Sequence, residues 1–68
     1  GTMPCIINAA NEVAVAAFLE DKIGFLAMSD IIETCMAKVS FTQCPTYDDY
    51  VATDAETRRV ARESLTMK

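Results

Sequence analysis

From Val13 to Leu19 the chain reads Val-Ala-Val-Ala-Ala-Phe-Leu, seven positions with no polar side chain. A helix built from such a run has no face suited to water, so it must be covered on most sides. The longer stretch Pro4 to Leu19 is therefore expected to be the element around which the rest is arranged. Asn8 offers a start signal, since its side-chain oxygen can accept from the backbone N–H of Ala10 or Asn11, and Glu12 adds negative charge by the first turn. The pattern predicts helix one from Asn8 to about Asp21. Pro4 would be extended before it, and Cys5-Ile6-Ile7 would pack back on the helix as an apolar lead-in.

Lys22-Ile23-Gly24-Phe25 reads as a short turn, with Gly24 in the left-handed conformation that stops a helix and Ile23 and Phe25 anchoring it. Phe25, Met28, Ile31, Ile32, Cys35, Met36 and Val39 then recur at spacings of three and four, which predicts a half-wet helix starting near Leu26, with Ser29-Asp30 in its first turn and Lys38 at its negative end. Ser40 to Pro45 reads as a loop anchored by Phe41. Thr46 is expected to cap a helical turn, with Asp48 and Asp49 near its positive end. Thr53-Asp54-Ala55-Glu56 matches a capping box and predicts a break or bend at Thr53. A single helix from Tyr47 to Met67 would put Val51, Ala55, Ala61 and Leu65 on a stripe shared with Arg58 and Arg62, and the arginine stems would pack against the core.

These patterns predict an all-α fold, a small bundle of three to five helices around a central apolar helix, forming one domain over residues 1–68. Its core is expected to hold Ala10, Val13, Ala14, Ala17, Phe18, Phe25, Ile31, Ile32, Cys35, Met36, Val39 and Leu65. Phe18→Ala should then cost about 3–5 kcal/mol. Ile6, Ile7, Val15 and Leu19 lie off that face and should remain as an exposed patch through which the chain self-associates.

Composition narrows the function. The chain has 68 residues, a net charge of −4, no His and no Trp. An acidic balance argues against a general nucleic-acid binder, which needs positive charge facing phosphates. Without His, the commonest acid–base group and metal ligand are missing. Cys5, Cys35 and Cys44 match no zinc spacing and cannot all pair within one chain, so they read as free, small, buried or half-buried apolar side chains in a reducing compartment. No run is long enough to span a bilayer, and no charged leader opens the chain. Glu12, Asp48, Asp49 and Asp54 could hold a divalent cation if they converged, and Arg58, Arg59 and Arg62 could clamp an anion. Each has a local role that explains it equally well: the acids complement helix N-termini, and the arginines alternate with Glu56 and Glu63 as on a solvated face. The only glycines, Gly1 and Gly24, make no phosphate loop.

Asn8-Ala9-Ala10-Asn11-Glu12 followed by Val13 to Leu19 resembles the opening helix of the C-terminal domain of the 1-deoxy-D-xylulose 5-phosphate reductoisomerase family. Pro4, Ile23, Phe25, Asp49 and the run Asp54-Ala55-Glu56-x-Arg58-x-x-Ala61 extend the resemblance over most of the chain. Leu26 departs from it, standing where the family has a polar cap, and the loop from Ser40 to Cys44 differs in detail. The resemblance implies a cytoplasmic parent enzyme that makes 2-C-methyl-D-erythritol 4-phosphate in non-mevalonate isoprenoid biosynthesis, with NADPH as reductant and Mg²⁺ or Mn²⁺ holding the substrate. It implies that this machinery lies upstream, so no position here is assigned as catalytic, cofactor-binding or metal-binding. The domain's partners would be the nucleotide-binding and catalytic domains of the same chain. A free-standing helical module that docks a partner through helix one is the alternative.

Overall fold

A computed structural model of the chain describes residues 1–66. Three α-helices follow in order, α1 Met3–Leu19, α2 Phe25–Lys38 and α3 Tyr47–Thr66. With no strand among the described residues, the fold is a small all-α bundle.

α1 begins five residues before the expected Asn8, because Pro4 fits a first turn. Its missing N–H would have no helical carbonyl to meet there, and its fixed φ suits the helix. Thr2, fully buried, holds the helix end in place. Its N–H donates to the Thr42 carbonyl at 3.0 Å, and its own carbonyl accepts from the Ile6 N–H at 3.0 Å. Its Oγ1 accepts from the Thr42 N–H at 2.9 Å. Cys5, Ile6 and Ile7 are thus helical instead of a lead-in, Ile6 is in the core, and Asn8 is exposed within α1. Glu12 lies well inside the helix, away from its first turn. The expected anchor Phe41 is half exposed, although its ring covers Gly1 so closely that a Cβ there would come within 2.6 Å of it. Thr42 is what ties the loop down.

α1 stops at Leu19, two residues short of the expected Asp21. The Lys22 N–H reaches the Ala17 carbonyl at 2.9 Å and the Asp21 N–H reaches Phe18 at 3.1 Å. This Schellman pairing needs a left-handed residue, and Asp21, at φ 59°, supplies it. Gly24, expected in that role, is extended at φ −86° and ψ 172° and precedes α2. A short polar side chain tolerates the left-handed region better than most, but glycine has no Cβ to strain. Asp21→Gly should therefore raise stability by up to about 1 kcal/mol, seen as a higher urea midpoint. A lower midpoint would mean that the Asp21 side chain is itself holding the turn.

α2 starts at Phe25, one residue before the expected Leu26, which puts Ser29 and Asp30 in its second turn, and Lys38 closes it as expected. Thr46 starts α3 as predicted: its N–H donates to Asp49 Oδ2 at 2.9 Å, and the Asp49 N–H approaches Thr46 Oγ1 at 3.3 Å. Asp48 and Asp49 occupy the first turn. No break follows at Thr53. A capping box ends a helix only where N–H groups lack carbonyl partners, and here packing keeps the ladder intact through buried Thr53 and Thr57. The Thr57 hydroxyl donates to the Thr53 carbonyl at 2.7 Å. The buried stripe of α3 is Thr53, Thr57, Val60 and Ala61, leaving the expected Val51 and Ala55 exposed. The suggested end at Met67 lies outside the described residues.

Cys5 meets the Tyr50 carbonyl, and two turns further along Glu12 meets Arg58, so α1 and α3 run in the same direction. α2 returns between their ends, and all three helices pack on one another. The core joins Ile6, Ala10, Val13 and Ala14 to Ile31, Cys35, Val39, Val60 and Ala61. Ala10, Ala14 and Ala61 are fully buried, and small side chains of this kind let helix backbones approach closely. Ala17 is also buried, while Ile32 and Leu65 pack against the cluster only in part. Three expected core residues are not inside: Phe18 is 37% exposed, Met36 39% and Phe25 72%. Three short helices bury narrow stripes, and nothing among the described residues covers the end of the bundle where Phe18 and Phe25 meet.

Candidate functional site

The charged residues singled out in the sequence gather mainly where α1 lies beside α3. Arg58 is the centre of that group. Its Nε donates to Asp54 Oδ2 at 2.8 Å, one turn away on α3, and its Nη2 donates to Glu12 Oε2 on α1. These hydrogen bonds, first Asp54's and then Glu12's, raise its pKa above the ordinary arginine value, so it remains a cation wherever the chain is folded. The arrangement is a clamp between two helices, and both partner groups are partly solvated, which limits its strength. Beyond Arg58 a groove of about 310 Å³ runs between α1 and α3, bordered by Glu20, Lys22 and Arg62. Lys22 stands 3.5 Å from Glu20. Arg59 pairs with Glu63 at 2.8 Å on the outer face.

The four candidate carboxylates do not converge. Glu12 and Asp54 meet on Arg58, Asp49 caps α3, and Asp48 is exposed beside it. Among the described residues no three His, Cys, Asp or Glu side chains lie close enough together to hold a metal ion. The arginines do not form a clamp for a ligand either, since Arg58 and Arg59 are committed to acids and Arg62 alone borders the groove with no ion pair among the described residues. The sequence reading missed Glu56, whose Oε1 accepts from the Ser40 N–H at 3.0 Å and holds the α2–α3 loop. It also missed the Thr2–Thr42 pair. Neither has a local sequence signal, because both join segments 16 and 40 residues apart.

All three cysteines are free: Cys35 buried, Cys5 half-buried and Cys44 exposed. The Cys44 exposure departs from the expectation of a buried or half-buried thiol, because the loop that carries it covers no core. Burial pushes the Cys35 thiol up. Cys5 is pushed up by burial first and by the charge of Asp54 next, with Arg58 opposing. Thiolates are the reactive form, so neither is an activated nucleophile. Maleimide at neutral pH should label Cys44 first, Cys5 more slowly and Cys35 only after denaturation, as read by peptide mass. Early labelling of Cys35 would show that the core opens readily.

The described residues form three helices whose charged side chains cap, clamp and solvate the domain's own helices. Comparison with known proteins identifies the family. The family profile described as DXP reductoisomerase C-terminal domain matches residues 1–60, and the chain belongs to that family. It is 75% identical over 65 residues to the 1-deoxy-D-xylulose 5-phosphate reductoisomerase of Bacteroides fragilis, 67% identical to that of Bacteroides thetaiotaomicron and 46% identical to that of Ruminiclostridium cellulolyticum. In each case the match covers 96% of this chain and 17% of the relative. The chain therefore spans about a sixth of the length of these relatives. No solved structure matches it.

Proposed function

We propose that residues 1–68 are the non-catalytic, structural C-terminal domain of a 1-deoxy-D-xylulose 5-phosphate reductoisomerase, whose whole chain forms 2-C-methyl-D-erythritol 4-phosphate with NADPH and Mg²⁺ or Mn²⁺ in the cytoplasm. The observation that carries this reading is the commitment of the chemistry-bearing side chains. Glu12 and Asp54 are held by Arg58 and Asp49 by the start of α3, so a cation would have to displace a protein partner from each. The residues do not fit NADPH either, because a dinucleotide needs a glycine-rich turn at a helix N-terminus, and Gly24 before α2 stands alone. The parent's chemistry belongs to the other five-sixths of such a chain, and this domain braces it. Three free thiols accord with a reducing home, and no helix among the described residues is long and apolar enough to cross a membrane.

Calorimetric titration of the 68-residue chain with NADPH and, separately, with Mg²⁺ tests the reading. No saturable heat is expected from either, and binding of either at micromolar concentration would overturn it. Separated from a parent, the chain should self-associate weakly. Ile6 is buried and Val15 half-buried, so both leave the expected patch; Ile7 and Leu19 remain exposed, and Phe18, Phe25 and Leu26 join them. Sedimentation at increasing concentration should show a growing dimer fraction that Leu19→Glu with Phe25→Glu removes. A chain that stays monomeric throughout would contradict this.

A further inference from the structure

At the α1–α2 end of the bundle the Phe18 and Phe25 rings meet edge to face, with centroids 6.2 Å apart. Leu19, the next residue of α1, is 75% exposed and Leu26, the next residue of α2, is 81% exposed. Phe18 and Phe25 are in contact, and Leu19 and Leu26 flank them at the same end of the bundle, so this end leaves four apolar side chains from two helices to water. No helix-packing requirement explains Leu26, since the turn between α1 and α2 is already held by the Asp21 pairing and by Ile23 against the core.

We propose that this end of the bundle is the seat by which the domain docks on the catalytic part of its own polypeptide. The inference rests on the structural-domain reading above and adds the surface that performs it. Aromatic side chains bury about 150–250 Å² each; with about 200 Å² for each Phe and about 150 Å² for each Leu, the four present roughly 450 Å² at the observed exposures. Two copies paired through such a patch would bury about 900 Å² in total, short of the roughly 1,200 Å² at which stable complexes between separate chains begin. The same area lies within the roughly 600–1,500 Å² of contacts between domains of one chain. A covalent link supplies the difference by keeping the second body at an effective concentration of about a millimolar. The family's members, about six times as long as this chain, supply that body. A second copy is thus a weak substitute for an occupant that is tethered.

The test exchanges the matching segment of a full-length relative for residues 1–68 and then introduces Phe25→Glu with Leu26→Glu. Both positions lie in the first turn of α2, where added negative charge favours the helix, so the fold of the domain is spared. Phe25→Gln with Leu26→Gln repeats the loss of apolar surface without charge. Val51→Glu, at an exposed position of α3, is the control. Both double variants should split a single thermal transition into two and speed proteolytic cleavage ahead of the domain at least tenfold, while the control changes neither. Double variants that melt and cleave like the control overturn the proposal, as does an exchange protein that sediments as a dimer and that the double variants turn into a monomer without faster cleavage, which would make a second copy the occupant. Activity of the unmutated exchange protein is read separately: if it makes no product, the structural-domain reading fails, whatever the cleavage rates show.

Discussion

Ile31→Ala should cost about 3–5 kcal/mol, enough to leave a domain of this size largely unfolded at room temperature, where total stabilities start near 5 kcal/mol or less. Ile31 is fully buried, and it lies in the same cluster as Ile6, Val13, Cys35, Val60 and Ala61 from all three helices. Truncating it loses the transfer energy of three carbons and opens a cavity against helices that cannot collapse into it, because alanines already hold them close. Phe18→Ala should cost no more than about 1–2 kcal/mol, reflecting a ring more than a third exposed and one edge-to-face contact. This reverses the expectation drawn from the apolar run, which made Phe18 the central side chain. Urea unfolding followed by helical circular dichroism separates the two. If Phe18→Ala proved the more damaging, α1 would be buried on a different face.

The contrast between those two residues shows where periodicity is informative. The i, i+3, i+4 pattern of α2 identified Ile31, Cys35 and Val39 because alternating wet and apolar positions define a phase. The run from Val13 to Leu19 has no wet positions and so carries no phase. There the pattern grouped Phe18 with Val13, Ala14 and Ala17, which are buried, although Phe18 is not; Leu19, expected off that face, is exposed. α3 was misread in the opposite way. Its inward stripe includes Thr53 and Thr57, residues that a hydrophobic pattern counts as polar, and Thr53 with Glu56 also imitates a helix start. A hydroxyl that satisfies itself on the preceding turn can sit in a core at little cost, and only the packed structure reveals it. The Thr46 cap was legible because its partner is three residues away. The Arg58 clamp was half legible: Asp54 lies at i−4 on the same helix, whereas Glu12 comes from 46 residues away.

The two fully buried threonines, Thr2 and Thr57, should respond oppositely to one chemical change, Thr to Val, which keeps the shape and removes the hydroxyl. At Thr2 the Oγ1 is the acceptor for the Thr42 N–H, 40 residues along the chain. Valine would keep the backbone bond from residue 2 to the Thr42 carbonyl but leave that N–H unpaired in a half-buried setting. An orphaned donor of this kind costs about 1–3 kcal/mol, and the loss would also release the start of α1 from the loop. At Thr57 the hydroxyl donates to the Thr53 carbonyl, an oxygen already engaged by the backbone ladder inside α3. Valine there strands nothing, removes a bond that tends to bend helices and buries one more methyl, so Thr57→Val should lie within about 1 kcal/mol of the parent. The two variants are compared by urea midpoint, and amide exchange locates the damage: Thr2→Val should speed exchange at Thr42 and in the first turns of α1 while α3 stays protected. Equal midpoints for the two variants would mean that Thr2 is not the fastening of α1, and that the helix holds its start through Pro4 and the burial of Ile6 alone.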